Sequence, residues 1–161
     1  MEREGTPVRE GIAAHEGWMR MALAEAERAG ARGEIPVGAV VVFEGAPVAM
    51  AGNVREATKD PTAHAEMVAL RAAAAALGRR RLTGCSLYVT LEPCPMCAGA
   101  IALARPDAVY FGARDSRAGC CGSVYRLTED PALGLGMVPC HGGVLAEACA
   151  EVLGRFFAKR R

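Results

Sequence analysis

SLYVTLEPCPMCAGAIALARPDAVYF, residues 86–111, decides the architecture. Residues 86–91 form a short apolar run rich in β-forming side chains and read as a strand. Pro93-Cys94-Pro95 opens a helix that continues to Arg105, because proline is tolerated in the first helical turn, where its missing N–H costs nothing. Pro106-Asp107 breaks that helix, and residues 108–111 read as the next strand. A strand, a crossover helix and a second strand of these lengths make a βαβ unit.

The rest of the chain extends this unit on both sides. Residues 1–11 are polar, with Gly5, Pro7 and Gly11, and read as a flexible tail. A single domain is expected over 12–161. The apolar stripe of Trp18, Met21, Leu23 and Ala29 predicts a helix over 13–29, ended by Gly30 and Gly33. The Val-rich run 37–43, a Glu44-Gly45 turn and a second extended stretch over 47–52 predict a β-hairpin. A polar loop over 53–61 leads to Thr62, the expected N-cap of a helix running to Leu77 and stopped by Gly78. Residues 114–136 are rich in glycine and charge and read as irregular. Residues 137–141 predict a fifth strand, and 144–159 a closing helix. This order predicts an α/β fold, three layers α/β/α, around a central mixed five-stranded sheet. Ligands of open α/β sheets bind at the carboxyl ends of the strands.

Bulk composition narrows the function classes. The 161 residues are 52% hydrophobic, with a mean hydropathy of +0.15, which excludes disorder as the main state. Charge nearly cancels, with 19 Lys+Arg against 18 Asp+Glu, so a polybasic coat protein is excluded but a local basic patch is not. Lysine occurs only at Lys59 and Lys159; arginine supplies the other cations. Seven cysteines, two of them adjacent at Cys120-Cys121, suit a full set of disulfides poorly. Residues 1–16 mix charges of both signs and lack the apolar run of a secretory leader. No stretch approaches the length of a membrane span. The expected setting is the cytoplasm, with reduced thiols, where paired cysteines point to metal binding or catalysis.

Two short motifs carry chemistry. His64-Ala65-Glu66 opens one helix, and Cys94-Pro95-Met96-Cys97 opens another. Cys94 and Cys97, three apart, share a helix face. An imidazole and two thiolates are strong zinc ligands, and helix N-termini favour thiolate anions. Three protein ligands with an open fourth position is the catalytic pattern, in which zinc lowers the pKa of bound water toward about 7. From the first helical turn, Glu66 reaches the same space and is placed to move a proton. A Cys-x-x-Cys pair alone is also compatible with redox or structural roles, and a lone His-x-Glu carries almost no information. The combination, with Pro93 before the first cysteine, is far more specific.

With these motifs in place, the sequence resembles the cytidine and deoxycytidylate deaminase superfamily, most closely its bacterial tRNA-specific adenosine deaminase branch. The matching segments include Trp18-Met19-Arg20, Glu34-Ile35-Pro36-Val37-Gly38, Asp60-Pro61-Thr62-Ala63-His64-Ala65-Glu66, Thr90-Leu91-Glu92-Pro93-Cys94 and Phe111-Gly112-Ala113-Arg114-Asp115. The resemblance implies one Zn²⁺ per chain on His64, Cys94 and Cys97, with Glu66 as proton shuttle. It implies contacts to the base from Asn53, eleven residues before His64, and from the Ala65 N–H. The implied reaction is hydrolytic attack at C6 of the wobble adenosine of a tRNA anticodon stem-loop, giving inosine. It also implies a homodimer without membrane attachment.

Charge adds further candidates. Arg114 and Asp115 are expected near the substrate, Asp115 as acceptor for a ribose 2′-OH. Arg117, Arg155, Lys159 and Arg160 are candidate contacts to the RNA backbone. Cys120 and Cys121, with no metal-ligand partner nearby in sequence, read as structural or incidental. Two other readings compete. One is a small-molecule deaminase of guanine, cytosine or a nucleotide, with the same zinc chemistry. The other is a zinc-stabilised module without catalysis, which would have no need of Glu66.

Overall fold

A computed structural model describes residues 8–160. The elements run α1 (Val8–Ala31), β1 (Gly38–Phe43), β2 (Ala46–Gly52), α2 (Arg55–Thr58), α3 (Ala65–Leu77), β3 (Cys85–Leu91), α4 (Pro95–Ala104), β4 (Ala108–Ala113), β5 (Cys140–His141) and α5 (Ala146–Ala158). The expected tail at 1–11 falls outside the described residues as far as residue 7. Helix α1 already runs from Val8, ahead of the expected start at 13.

The five strands lie in the order β2-β1-β3-β4-β5. The hairpin β1/β2 and the β1/β3 pair are antiparallel, while β3/β4 and β4/β5 are parallel. The sheet is therefore mixed, and α4 is the crossover that parallel pairing of β3 and β4 requires. Strand β1 is buried along nearly its whole length because helices cover both faces of the sheet. Its side chains alternate accordingly. Ala39 and Val41 join Leu87, Val89, Ile101 and Val109 in the core under α3 and α4. Val40 and Val42 join Met19, Ala22, Tyr88 and Cys149 under α1 and α5. The Glu44-Gly45 turn has positive φ at both residues (51° and 74°), the twist that a two-residue hairpin needs.

Four further differences from the sequence reading each have a local reason. Thr62 is not the N-cap of α3. Its N–H and its hydroxyl both donate to Asp60 Oδ1, at 2.8 and 2.7 Å, so the helix starts at Ala65 with His64 as N-cap. The loop expected over 53–61 contains α2, whose first amides donate to the buried Glu34 carboxylate from Glu56 N and Ala57 N. Strand β5 is two residues long rather than five. Pro139 has no N–H to offer, and Val138 N donates to Thr128 O instead of to β4. Helix α5 begins at Ala146, because Val144 N is held by Phe111 O. The 114–136 stretch is irregular as expected, with 3₁₀ turns at Leu127–Glu129 and Pro131–Leu133.

Close backbone approaches fix the helical layers on the sheet. A Cβ at Gly38 would sit 1.9 Å from Ala22 O, so α1 rests directly on the backbone of β1. A Cβ at Gly112 would sit 2.3 Å from Cys149 Sγ, which docks α5 on β4 in the same way. Gly38→Ala should therefore destabilise the fold by about 3 kcal/mol, at the upper end of overpacking costs, because the obstacle is backbone and not a flexible side chain. Urea denaturation of the variant against wild type measures this. A change below about 0.5 kcal/mol would show that α1 shifts freely.

Candidate metal centre and substrate cavity

The site is built by the first turns of α3 and α4. His64 is the N-cap of α3 and Cys94 the N-cap of α4; both have extended backbone, and neither side chain caps its own helix. A capping side chain would bend back onto the N–H groups of its first turn. These two are instead free to point at each other. Pro95 at N1 sets the helical φ immediately after Cys94, and one turn on Cys97 presents its thiol on the same face. His64 Nδ1 lies 3.6 Å from Cys94 Sγ and 3.4 Å from Cys97 Sγ, and the three donor atoms all lie within 4.8 Å of one another.

Electrostatics divides the protons unequally between the two thiols. The hydrogen bond from Cys97 pulls the Cys94 thiol down to about 4, against the opposing effect of burial. That same bond, together with burial, pushes the Cys97 thiol up. The hydrogen bond to Cys94 raises the His64 imidazole above its ordinary value, outweighing desolvation. Glu66, 4% exposed, is held above the usual carboxylate range by burial, with hydrogen bonds from the Glu66 backbone and the Cys97 thiol acting the other way. A buried acid with a raised pKa therefore shares a cavity wall with His64 and Cys94.

The cluster opens into a cavity of about 140 Å³, whose walls include Asn53, Arg55, His64, Glu66, Glu92 and Asp115. Asn53, expected to touch the base, spans two segments of the protein: Nδ2 donates to Ile35 O and Oδ1 accepts from Ala65 N, both at 2.8 Å. The expectation that the Ala65 N–H reaches the base is corrected here. Ala65 is fully buried, and its N–H is already given to Asn53 Oδ1. Asp115 is on the cavity wall, and its Oδ1 accepts from Arg117 N and Ala118 N at 3.0 and 3.2 Å.

The basic candidates are not gathered into this cavity. Arg114 is exposed, its guanidinium 5.4 Å over the Phe111 ring, and Arg117 is exposed in the same loop. Arg155, Lys159 and Arg160 line a second depression of about 260 Å³ between the ends of α1 and α5. Arg160 stacks on Phe156 at 3.5 Å, and Arg155 pairs with Glu27 at 3.2 Å in an exposed contact worth little in water. The two cavities adjoin along the chain, because Pro36 lines one while Ile35 and Val37 line the other. Two wall residues escaped the sequence reading. Arg55 has a buried Nε without a hydrogen-bond partner. Glu92 stands immediately before the Pro93-Cys94 turn, and that position was its one signal in sequence.

Three soft and borderline donors within 4.8 Å of one another, beside a cavity, could hold a metal ion, and their chemistry fits zinc. Comparison with known proteins agrees. Residues 12–113 match the cytidine and deoxycytidylate deaminase zinc-binding region, and the chain belongs to that family of zinc-dependent deaminases. It is 44% identical over 144 residues to the tRNA-specific adenosine deaminase of Bacillus subtilis (strain 168), covering 89% of each chain. Against that of Aquifex aeolicus (strain VF5) the identity is 45%, covering 89% of this chain and 94% of the relative. A structure solved in a study of A-to-I editing by tRNA:A34 deaminases superposes with a TM-score of 0.82 at 43% identity, covering 85% of this chain and 99% of that one. Guanine deaminase from Bacillus subtilis superposes with a TM-score of 0.62 at 36% identity, covering 91% and 93%.

The donor count makes a direct prediction. The purified protein should carry about one zinc per chain, and Cys97→Ala should lose it, since two remaining donors hold zinc poorly. Elemental analysis after dialysis checks both statements.

Proposed function

We propose that this chain deaminates adenosine to inosine at the wobble position of a tRNA anticodon loop. The observation that carries the reading is Glu66, a buried carboxyl on the wall of the same cavity that His64, Cys94, Asn53 and Asp115 line. Identity above 40% across nearly the whole of several tRNA-specific adenosine deaminases supports the substrate.

His64, Cys94 and Cys97 would hold the zinc, which supplies Lewis-acid activation of water. The protein's own groups do the rest. Glu66 accepts a proton as water adds to C6 and delivers it to the departing nitrogen, so adenine and water become hypoxanthine and ammonia. Burial holds its pKa above the usual carboxylate range, which makes it a stronger proton acceptor than an exposed carboxylate. Asn53 keeps one N–H and one lone pair after its bonds to Ile35 and Ala65, enough to read a donor–acceptor edge of the purine. Ala65 contributes by locking that amide in place. Asp115 keeps Oδ2 for the ribose 2′-OH, a group DNA lacks.

Arg114 and Arg117 on one side, and Arg155, Lys159 and Arg160 on the other, would contact phosphates of the loop flanking the flipped base. The proposed assembly is a homodimer, as the resemblance to the family implies. The proposed compartment is the cytoplasm, consistent with the absence of disulfides among the described cysteines. Among the described residues, no helix is long and apolar enough to cross a membrane.

Guanine deamination is the competing reading, favoured by the 36% identity to the Bacillus subtilis guanine deaminase. Incubation with an anticodon stem-loop and, separately, with free guanine separates the two. Inosine in the RNA is expected. Turnover of guanine alone would overturn the proposal.

Two variants test the assigned roles. Glu66→Ala should keep zinc and fold but lower the deamination rate by about 10³-fold, the size of a general acid–base contribution. Lys159→Ala should weaken stem-loop binding without sequence preference and reduce the slope of log affinity against log salt by about 1. A filter-binding titration at several salt concentrations reads the second effect.

A further inference from the structure

We propose that Glu92 is a positioning residue for substrate recognition. Its buried carboxylate ties the 115–123 loop, and with it Asp115, to the turn that carries Cys94. The inference rests on the reading of Asp115 as a ribose contact.

Glu92 follows the last residue of β3 and is 2% exposed. Its two oxygens accept four hydrogen bonds, all from one loop. Oε1 takes Asp115 N at 3.2 Å and the Ser123 hydroxyl in a short contact. Oε2 takes Cys121 N and Ser123 N, both at 3.0 Å. Among the described residues no cation pairs with it. The charge is stabilised by convergent N–H and O–H dipoles, which is how a carboxylate remains ionised without a counter-ion. The neighbouring backbone closes the same assembly: Cys120 N donates to Pro93 O at 2.8 Å, and Glu92 N donates to Ala113 O at 2.9 Å.

The loop has been left no freedom around this carboxylate. A Cβ at Gly119 would lie 2.4 Å from Glu92 Cδ and Oε2 and 2.5 Å from Asp115 O. Any side chain at position 119 would expel Glu92 from its place. An apolar residue at position 92 would fill the volume without the cost of burying a charge, but it would leave three N–H groups and a hydroxyl without partners. What the carboxylate supplies in exchange is a fixed offset between Asp115 and Cys94. Both residues face the same cavity. The acceptor for the ribose and the donor for the metal are thereby parts of one hydrogen-bonded unit.

The test is a coupling measurement on the full-length zinc-loaded protein. Steady-state kcat and KM are measured on an anticodon stem-loop RNA, and on the same loop with a 2′-deoxyribose at the target adenosine. The proteins are wild type, Glu92→Gln, Asp115→Asn and the double variant, with zinc content and Tm recorded for each. If Glu92 acts through Asp115, Glu92→Gln retains zinc and raises KM for the RNA by about tenfold, the worth of one lost charged hydrogen bond. Its preference for ribose over deoxyribose falls to that of Asp115→Asn. The double variant is then no worse than the poorer single variant, to within about twofold. Two independent losses that multiply, with the ribose preference of Glu92→Gln intact, would overturn the proposal. Ser123→Ala, which deletes only the hydroxyl donor, is judged by the same criteria should Glu92→Gln fail to fold. A wild-type protein inactive on the RNA would overturn the proposed function itself, and this inference with it.

Discussion

Two helix N-termini meet across 3.6 Å, with His64 Nδ1 at one and Cys94 Sγ at the other, and the molecule is arranged around that meeting. Both residues occupy N-cap positions, where Ser, Thr, Asp or Asn would satisfy an orphan N–H. Giving up each cap costs about 1 kcal/mol of helix stability. The same orphan N–H groups and the positive ends of the two helix dipoles favour thiolate over thiol, so the sacrifice falls where negative charge is wanted. Parallel pairing of β3 and β4 forces α4 to cross over and start at the carboxyl edge of the sheet. The antiparallel β1/β3 pair places the end of the hairpin, and with it Asn53 and α3, at that same edge.

What the sequence made legible follows from how local each signal is. The 86–111 unit, the hairpin and the His64-Ala65-Glu66 and Cys94–Cys97 motifs depend on residues within a turn or two of each other, and they fold as read. Readings that ignored a competing local bond went astray. Thr62 has the chemistry of an N-cap, but Asp60 claims its hydroxyl first. The Ala65 N–H looks free in sequence and is taken by an amide twelve residues away. The role of Glu92 was hidden for the same reason on a larger scale: its partners lie 23 to 31 residues downstream, in a segment whose glycines and charges suggest only a loop. Hydrogen-bond partners brought together by the sheet leave no periodic trace.

The cysteine count resolves in a similar way. Cys94 and Cys97 belong to the donor cluster. Cys85, Cys120, Cys121 and Cys149 are buried, and Cys140 is half-buried with its sulfur 3.1 Å from Thr128 Oγ1. Cys149 meets Gly112 so closely that its thiol acts as a packing element, a small apolar group on a helix that must lie flat on a strand. The near-neutral composition likewise conceals local structure. Cations concentrate at Arg155, Lys159 and Arg160 beside one cavity, and at Arg114 and Arg117 beside the other.

The contact at Gly38 bears on how such a pocket breathes. With α1 seated on the backbone of β1, and a Cβ at Gly52 of β2 due to fall 2.9 Å from Glu25 O, closer than a side chain tolerates, the hairpin and α1 are packed backbone against backbone. The Asn53 wall rides on that block and is pinned again at Ile35 and Ala65. The pocket is a vise with one welded jaw. The opposite jaw, the 115–123 loop, is held by hydrogen bonds to Glu92 and not by a packed helix, so the two walls of the pocket resist deformation by different means. Hydrogen bonds can open and close singly, whereas a steric lock cannot.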